Sequence, residues 1–393
     1  MDARPVDPTA LLPGAPDPWV PSEMPAWRGG PPYVMTEMIA AEPGLAGRLA
    51  RRLQADPALA AAAAAIRDAA VRGAPITTTG CGTSQHAAMV AAAVLMDGLS
   101  AAGLPADRVA AVQAFELSRR VAAGGVVIGI SHEGGTAATN DALAAARAAG
   151  CTTILVTVSG RSPAAALADL VLSTAEQDQS WCHTVGYLSP LVAAACVHAS
   201  LRGVAVPPDA VARQVGTGED SGALERIAAA LSATDRLVVV GSGADYAAAR
   251  ELALKVEEGA RLPATSHELE TIRHGHLAAA SERTGLVMIL TDAEARGSIL
   301  VERAAVVLRS AVALGMPAAV IATDDMGDPP APGLAPAGWY PFTLDGALPR
   351  AVAAALGAAV PLQLLTERLA RQRGTNPDTI GREDPRQAAA ASA

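Results

Sequence analysis

One lysine stands among the 30 basic residues of this 393-residue chain; Lys255 is accompanied by 29 arginines. A bias toward arginine and alanine reflects coding composition, and the one lysine that escapes it points to chemistry arginine cannot perform. An ammonium is compact, shifts its pKa readily and can transfer a proton, whereas a guanidinium stays charged. Glu258 follows three residues later, so on a helix the two side chains share a face and can enter one cleft. A solvent-facing pair at this spacing would add only about 0.2–0.5 kcal/mol, and residue types alone leave both readings open. Two loops offer a second kind of chemistry. Gly80-Cys81-Gly82-Thr83-Ser84-Gln85-His86 and Ser131-His132-Glu133-Gly134-Gly135-Thr136 each join an apolar run to a helical pattern. Glycines allow the tight turn, and hydroxyls with the unpaired amides of a helix start can hold an oxyanion. Either loop alone is a weak signal; both on consecutive strands are more specific.

The elements that must position these residues are legible as apolar runs. ITTTG (76–80), VVIGI (126–130) and TILVT (153–157) read as buried strands, each followed by an alanine-rich helix. LVVVG (237–241), LVMIL (286–290) and AAVIA (318–322) repeat the pattern at offsets of 161, 160 and 165 residues, which indicates a tandem duplication. Strands alternating with helices imply right-handed crossovers and parallel sheets covered on both faces, with ligands at the carboxyl ends of the strands. The expected architecture is α/β, with two tandem doubly wound (flavodoxin-like) parallel-sheet domains. Residues 1–34, with nine prolines, read as an extended arm or disordered leader. The first domain is expected over 35–210, the second over 211–370 and a tail over 371–393. The linker is expected at Val204–Gly222, a Pro/Gly-rich loop at Gly327–Gly338, and the final helix at Ala351–Arg371.

The two loops also carry a resemblance. CGTS at 81–84 followed by Ser-x-x-Gly-x-Thr at 131–136 resembles the sugar isomerase (SIS) domain, in which such loops bind the phosphate of a phosphosugar. Ala253-Leu254-Lys255-Val256-Glu257-Glu258 and Arg273-His274-Gly275-His276-Leu277 resemble the isomerase part of glucosamine-6-phosphate synthase, as does the tail Gly374-Thr375-Asn376-Pro377-Asp378. The resemblance covers about residues 35–386. It implies that Glu258 is a base moving a proton between C1 and C2 through an enediol, and that Lys255 steadies the enediolate. It assigns the ring-opening proton to His274, which in the family can reach over from a neighbouring subunit, so a homodimer with a shared active site is implied. Cys81, Gly82, Thr83, Ser84, Ser131, His132, Glu133 and Thr136 become sugar-phosphate contacts, and His183 and Thr184 sugar contacts, although Trp181-Cys182-His183-Thr184 departs from the family's usual Ala-Ser-Thr. Two further departures stand out. A short proline-rich arm stands where the synthase has its glutaminase domain, so release of ammonia from glutamine by that route is not expected, and the tail segment Arg382-Glu383-Asp384-Pro385-Arg386 lacks the lysine that forms an imine with the sugar in the synthase branch.

Glu133 replaces the second serine of the family's loop, and a carboxylate repels a phosphate dianion by about 1 kcal/mol at 4 Å in water. Either it turns away, or it is protonated, or the ligand is not an ordinary phosphosugar; capping the next helix is the structural alternative. The functions implied are a sugar-phosphate aldose/ketose isomerase or amino-sugar-phosphate deaminase. A non-catalytic sugar-binding regulator, an isomerase of an unphosphorylated sugar derivative, and an ammonia-dependent amino-transferring isomerase are alternatives. No cofactor is implied. No metal is expected either, because His274 and His276 at i and i+2 do not share a helix face and lack companion ligands. His86 and His198, on alanine-rich helices, read as packing or surface histidines. A formal charge of −9 argues against nucleic acid and anionic membrane as partners. Cys81, Cys151, Cys182 and Cys196 lie far apart and suggest no disulfide framework. No signal peptide is evident, and Gln179–Leu201, the longest uncharged stretch, reads as a buried helix rather than a membrane span. A cytoplasmic protein is expected. A serine hydrolase is disfavoured because neither Ser84 nor Ser131 lies in a G-x-S-x-G elbow, and a nicotinamide enzyme because Gly80–Ser84 lacks the third glycine.

Overall fold

Each of the six apolar runs becomes an inner strand, and four further short strands complete two five-stranded parallel sheets. The computed structural model describes residues 7–22, 28–217, 222–291, 299–326 and 333–391. The first half contains α1 (Val34–Ala55), α2 (Pro57–Val71), β1 (Ile76–Gly80), α3 (Thr83–Ala101), β2 (Val109–Gln113), α4 (Ala114–Arg119), β3 (Val126–Ile130), α5 (Ala137–Ala148), β4 (Thr152–Thr157), β5 (Leu170–Ser173) and α6 (Val185–Leu201). The second contains α7 (Pro208–Gly216), α8 (Ala223–Leu231), β6 (Arg236–Val240), α9 (Ala244–Ala260), β7 (Ala264–His267), β8 (Thr284–Leu290), α10 (Ile299–Ala313), β9 (Ala318–Thr323), β10 (Gly338–Phe342) and α11 (Arg350–Arg373), followed by α12 (Pro385–Ala391) in the tail. The sheet orders are β2-β1-β3-β4-β5 and β7-β6-β8-β9-β10, one permutation used twice. The duplication is therefore topological as well as sequential, and both sheets are flavodoxin-like.

β3 and β8 are buried at every residue, as parallel strands covered on both faces must be. The four strands that apolarity did not reveal are the sheet edges β2, β5, β7 and β10, which are short and partly exposed. Each duplicated first strand ends in the same turn. Gly82 and Gly243 adopt φ/ψ of 55°/−129° and 62°/−131°, a conformation that glycine alone takes without strain. At Gly80 and Gly241 a β-carbon would lie 2.7 Å and 2.3 Å from the backbone of Ser84 and Asp245, one turn into α3 and α9. Both glycine pairs are thus required to bring a helix start against the strand end.

The two sheets meet through helices rather than edges. α3 packs on α9 and α6, and α11 packs on α9 and α6. One continuous core runs from Leu12 in the arm through these helices to Leu369, while separate apolar clusters fill the outer face of each sheet. The uncharged stretch becomes α6, buried at every residue but Ser200. Among the described residues one helix, α11, is long and apolar enough to cross a membrane, and it is almost entirely buried in protein.

The expected linker is not free chain: it holds α7, which packs on α1, while residues 218–221 lie outside the described structure. The loop expected at Gly327–Gly338 falls largely on residues 327–332, also outside it. The described part of the arm is not disordered. The Leu12 amide donates to Glu176 Oε2 (3.0 Å), the Gln177 amide to the Pro13 carbonyl (2.8 Å), and Leu12 is buried. The tail closes back onto the start of α1, where the two Asp378 carboxylate oxygens accept the amides of Val34 and Met35 at 2.8 Å each. These are orphan donors of a helix N-terminus, and an acceptor from the far end of the chain satisfies them. Asp378→Ala is expected to destabilise the chain by about 1–3 kcal/mol, read as a lower urea midpoint, with Asp378→Asn between the two; equal midpoints would show that the tail does not hold the helix.

Candidate active site

A cavity of 730 Å³ opens at the carboxyl ends of the first sheet's strands, within the range of small-ligand sites. Of the thirteen candidate residues, nine line it: Cys81, Gly82, Thr83, Ser84, His132, Glu133, Thr136, His183 and Glu258. The first four come from the β1–α3 turn, the next three from the β3–α5 loop, His183 from the approach to α6, and Glu258 from α9. The second half thus contributes a carboxylate to a cavity built by the first.

Four candidates stand elsewhere. Lys255 is wholly buried behind the wall, with Nζ 2.6 Å from Glu258 Oε2, 2.9 Å from Thr83 Oγ1 and 3.5 Å from Glu251 Oε1. The i, i+3 pair does share a helix face, but it is no solvent-facing pair and only its carboxylate borders the cavity. Ser131 is buried beneath its loop, its hydroxyl accepting the Gly134 amide (3.2 Å). Thr184 is buried, its amide donating to Asp178 Oδ2 (2.7 Å). His274 lies on a turn of the second half with its side chain 73% exposed and Nε2 3.0 Å from Glu270 Oε1. His274 does not line the cavity of the single chain.

The charge network is larger than the sequence reading anticipated. Burial alone would lower the Lys255 pKa, but the Glu258 and Glu251 carboxylates reverse this and raise it, so the ammonium is retained. Burial likewise works to raise Glu251, yet the Lys255 ammonium and a 2.7 Å contact with His86 Nδ1 bring it below its ordinary value. His86 is therefore buried in this network rather than merely packed. His198 is buried and paired with Asp97 at 2.8 Å, as a packing histidine. Glu251 stands at i−4 from Lys255, a spacing that could have flagged it.

Asp178 was not foreseen. It is buried; its amide donates to His132 Nε2 (2.9 Å), and its carboxylate accepts the amides of Ser180, Thr184 and Gly186. His183 Nδ1 faces it at 3.6 Å. Burial and the neighbouring His183 lower His132 to about 4, so it is neutral. Burial also works to lower His183, but Asp178 outweighs it and the pKa rises.

The arm and tail complete the wall. The Trp19 indole donates to the Glu133 carbonyl (3.1 Å) and its ring packs where a Gly135 side chain would stand. The Glu133 carboxylate accepts the Ser22 amide (3.2 Å) and hydroxyl and, at 3.4 Å, the Gln177 amide group. It neither faces open solvent nor turns away from the cavity. Arg382 lies 3.7 Å over the Trp181 ring, a cation–π contact. Nothing in their spacing marked Trp19, Ser22 or Arg382.

A model of the SIS domain matches residues 74–198 and 230–321. No curated protein matches the chain. Among solved structures, the C-terminal domain of glucosamine-fructose-6-phosphate aminotransferase from Francisella tularensis superimposes with a TM-score of 0.73 at 20% identity, covering 90% of this chain and 99% of that one. Tagatose-6-phosphate ketose/aldose isomerase from Escherichia coli gives 0.72 at 19%, covering 91% and 97%. Glucosamine-6-phosphate deaminase from Thermotoga maritima gives 0.66 at 18%, covering 88% and 97%. At these identities the likeness is one of fold.

Removing one partner of a buried charge set leaves the rest uncompensated. Lys255→Met is expected to cost about 3–5 kcal/mol at neutral pH. Glu251, with its folded pKa depressed, contributes stability above its ordinary 4.5 that is lost as pH falls through the folded value. The variant lacks that contribution, so the gap between the two chains should narrow below pH 4.5, as denaturant titrations at several pH values would measure; a gap that stays constant would separate Glu251 from the lysine.

Proposed function

The chain belongs to the SIS domain family, and on that premise we propose that it is a sugar-phosphate aldose/ketose isomerase or amino-sugar-phosphate deaminase that moves a proton between C1 and C2. The observation that carries this reading is a carboxylate, Glu258, in the wall of a sugar-sized cavity and 2.6 Å from an ammonium buried behind it. On the open-chain sugar, Glu258 takes the proton from the carbon beside the carbonyl. The electron pair forms the enediol as the carbonyl oxygen gains a proton, and return of the proton to the neighbouring carbon gives the isomer. From a 2-amino aldose the same transfer leaves an imine at C2, which water hydrolyses to the ketone and ammonia. Lys255 fixes Glu258 and supplies positive field beneath the charge that develops on the enediol oxygens. Guanidinium groups cannot form the imine of the synthase branch, so Arg382 binds rather than bonds.

The aminotransferase, deaminase and isomerase among the similar structures are all named for a sugar 6-phosphate, which supports phosphosugar chemistry. One observation favours an unphosphorylated substrate: Glu133 lines the cavity in the loop where the resemblance puts phosphate. A binding protein without turnover would need the loops but not the buried Lys255–Glu258 pair.

Incubation in D2O with hexose phosphates, amino-hexose phosphates and their unphosphorylated forms, read by NMR at C1 and C2, tests the reading. Exchange with one sugar, reduced about a hundredfold or more in Glu258→Gln, is expected; binding without exchange across the panel would sink the enzyme. Glu133→Gln keeps an acceptor for Ser22 and removes the charge. It should lower KM for a phosphosugar about fivefold, the equivalent of roughly 1 kcal/mol, and leave an unphosphorylated sugar unaffected. An unchanged KM for the phosphosugar would mean that no phosphate approaches Glu133.

A further inference from the structure

A cyclic sugar has no carbonyl, so Glu258 can act only after the ring has opened. The C1–O5 bond of an aldopyranose (C2–O5 or C2–O6 in a ketose) must break, a proton must leave the anomeric hydroxyl, and one must reach the ring oxygen. The resemblance gives this task to a histidine at position 274, which in a single chain stands outside the cavity. Two other histidines line the cavity itself. His132 and His183 approach from different elements, with ring centroids 5.5 Å apart, and Asp178 governs both.

Asp178 differentiates the two rings. Its amide donates to His132 Nε2, so that nitrogen carries the lone pair and the His132 proton sits on Nδ1. His132 is left with a donor only, and its burial keeps it neutral. The Asp178 carboxylate is held in place by three backbone amides, at 2.9 Å from Ser180, 2.7 Å from Thr184 and 2.9 Å from Gly186, and faces His183 Nδ1 at 3.6 Å. At 3.6 Å the contact is electrostatic, with no hydrogen bond to Nδ1 among the described residues; a carboxylate behind that nitrogen stabilises the protonated ring, and Nε2 is the nitrogen left for a ligand.

We propose that His183, oriented by Asp178 and assisted by His132 as a neutral hydrogen-bond donor, moves the ring-opening proton within this chain. The inference rests on the reading of the cavity as an enediol site. The step balances within one imidazole. His183 as imidazolium gives its Nε2 proton to the ring oxygen as the carbon–oxygen bond breaks with its electron pair moving to that oxygen. The carbonyl forms at the anomeric carbon, and the hydroxyl proton returns to Nε2. Nothing is oxidised or reduced. Asp178 acts through His183 and is a positioning residue.

Ring opening can be read without any C–H cleavage, because anomers interconvert only through the open chain. The probes are glucose, fructose, tagatose and glucosamine 6-phosphates labelled with carbon-13 at the anomeric carbon, with anomer exchange followed by NMR. A tetrose 4-phosphate, which has no hydroxyl able to close a five- or six-membered ring, reports C2 deuterium exchange alone. His183→Asn is expected to slow catalysed anomer exchange about a hundredfold, and to slow deuterium exchange on the tetrose phosphate at least about tenfold less than that. Asp178→Asn should follow the same pattern more weakly, and retention of the tetrose reaction guards against misfolding in each variant. The proposal is overturned if His183→Asn leaves anomer exchange intact, if both probes lose equally, or if His274→Asn removes the anomer exchange that His183→Asn spares. Loss of the Glu258 reading alone would appear as deuterium exchange that survives Glu258→Gln, with anomer exchange still dependent on His183. A wild-type chain inert toward every probe would overturn both.

Discussion

Burial of the Lys255 ammonium is the constraint on which the rest depends. An unpaired ammonium in a protein interior is too costly to persist, so its partners must be assembled before the fold is stable. Those partners come from both halves: Glu251 and Glu258 from α9, Thr83 from the start of α3, with His86 joining through Glu251. The countercharges lie on the lysine's own helix, and the first half adds a hydroxyl and an imidazole that complete the set. α3 packs across the lysine on α9, and Glu258 stands in the cavity wall at that contact between the halves.

Duplication explains the frame but not the chemistry. The offset of 161 residues pairs Gly80 with Gly241 and Gly82 with Gly243, and those turns are near-identical in φ and ψ. The same offset pairs Lys255 with Val94, Glu251 with Val90, and Glu258 with Asp97. A second cavity of 710 Å³ lies at the exchanged position, with Gly243, Ala244 and Asp97 in its wall. There the lysine is a valine, the turn hydroxyl is an alanine, and Asp97 is engaged by His198 at 2.8 Å. Backbone requirements were kept in both copies because the strand-to-helix turn cannot form otherwise. Among the described residues the buried Lys–Glu set occurs at the first of the two positions.

That contrast marks what a sequence can disclose. Apolar runs and paired glycines are imposed by the backbone, so β1, β3, β4, β6, β8 and β9 and both turns were legible. Edge strands are four or five residues with one side exposed, and their pattern is too short to distinguish from loop. The Lys255–Glu258 pair was legible through helical spacing and the lysine's singularity, but its burial was not, because burial is decided by α3 packing across it. Asp178 gave no local signal: its two roles, an amide toward His132 and a carboxylate toward the α6 entry, exist only after two loops converge. Composition left the arm open between extended and disordered chain, because the contacts that hold its described residues, with Glu133 and Glu176, lie far away in sequence.

The arm also bears on what the cavity can hold. In a loop of serine and threonine the hydroxyls can donate to a phosphate, whereas here Glu133 is an acceptor that already takes three hydrogen bonds from Ser22 and Gln177. A ligand group reaching this loop meets one of two surfaces. If Ser22 remains, the group meets a carboxylate already satisfied and the amides of a helix start, with Trp19 closing the space over Gly135. If Ser22 leaves, the group must itself donate to Glu133, which a hydroxyl or ammonium does and a phosphate dianion does not. Trp19, Pro21 and Ser22 stand in the cavity wall beside the loop, so any ligand of this cavity is measured against the arm as well as the loop.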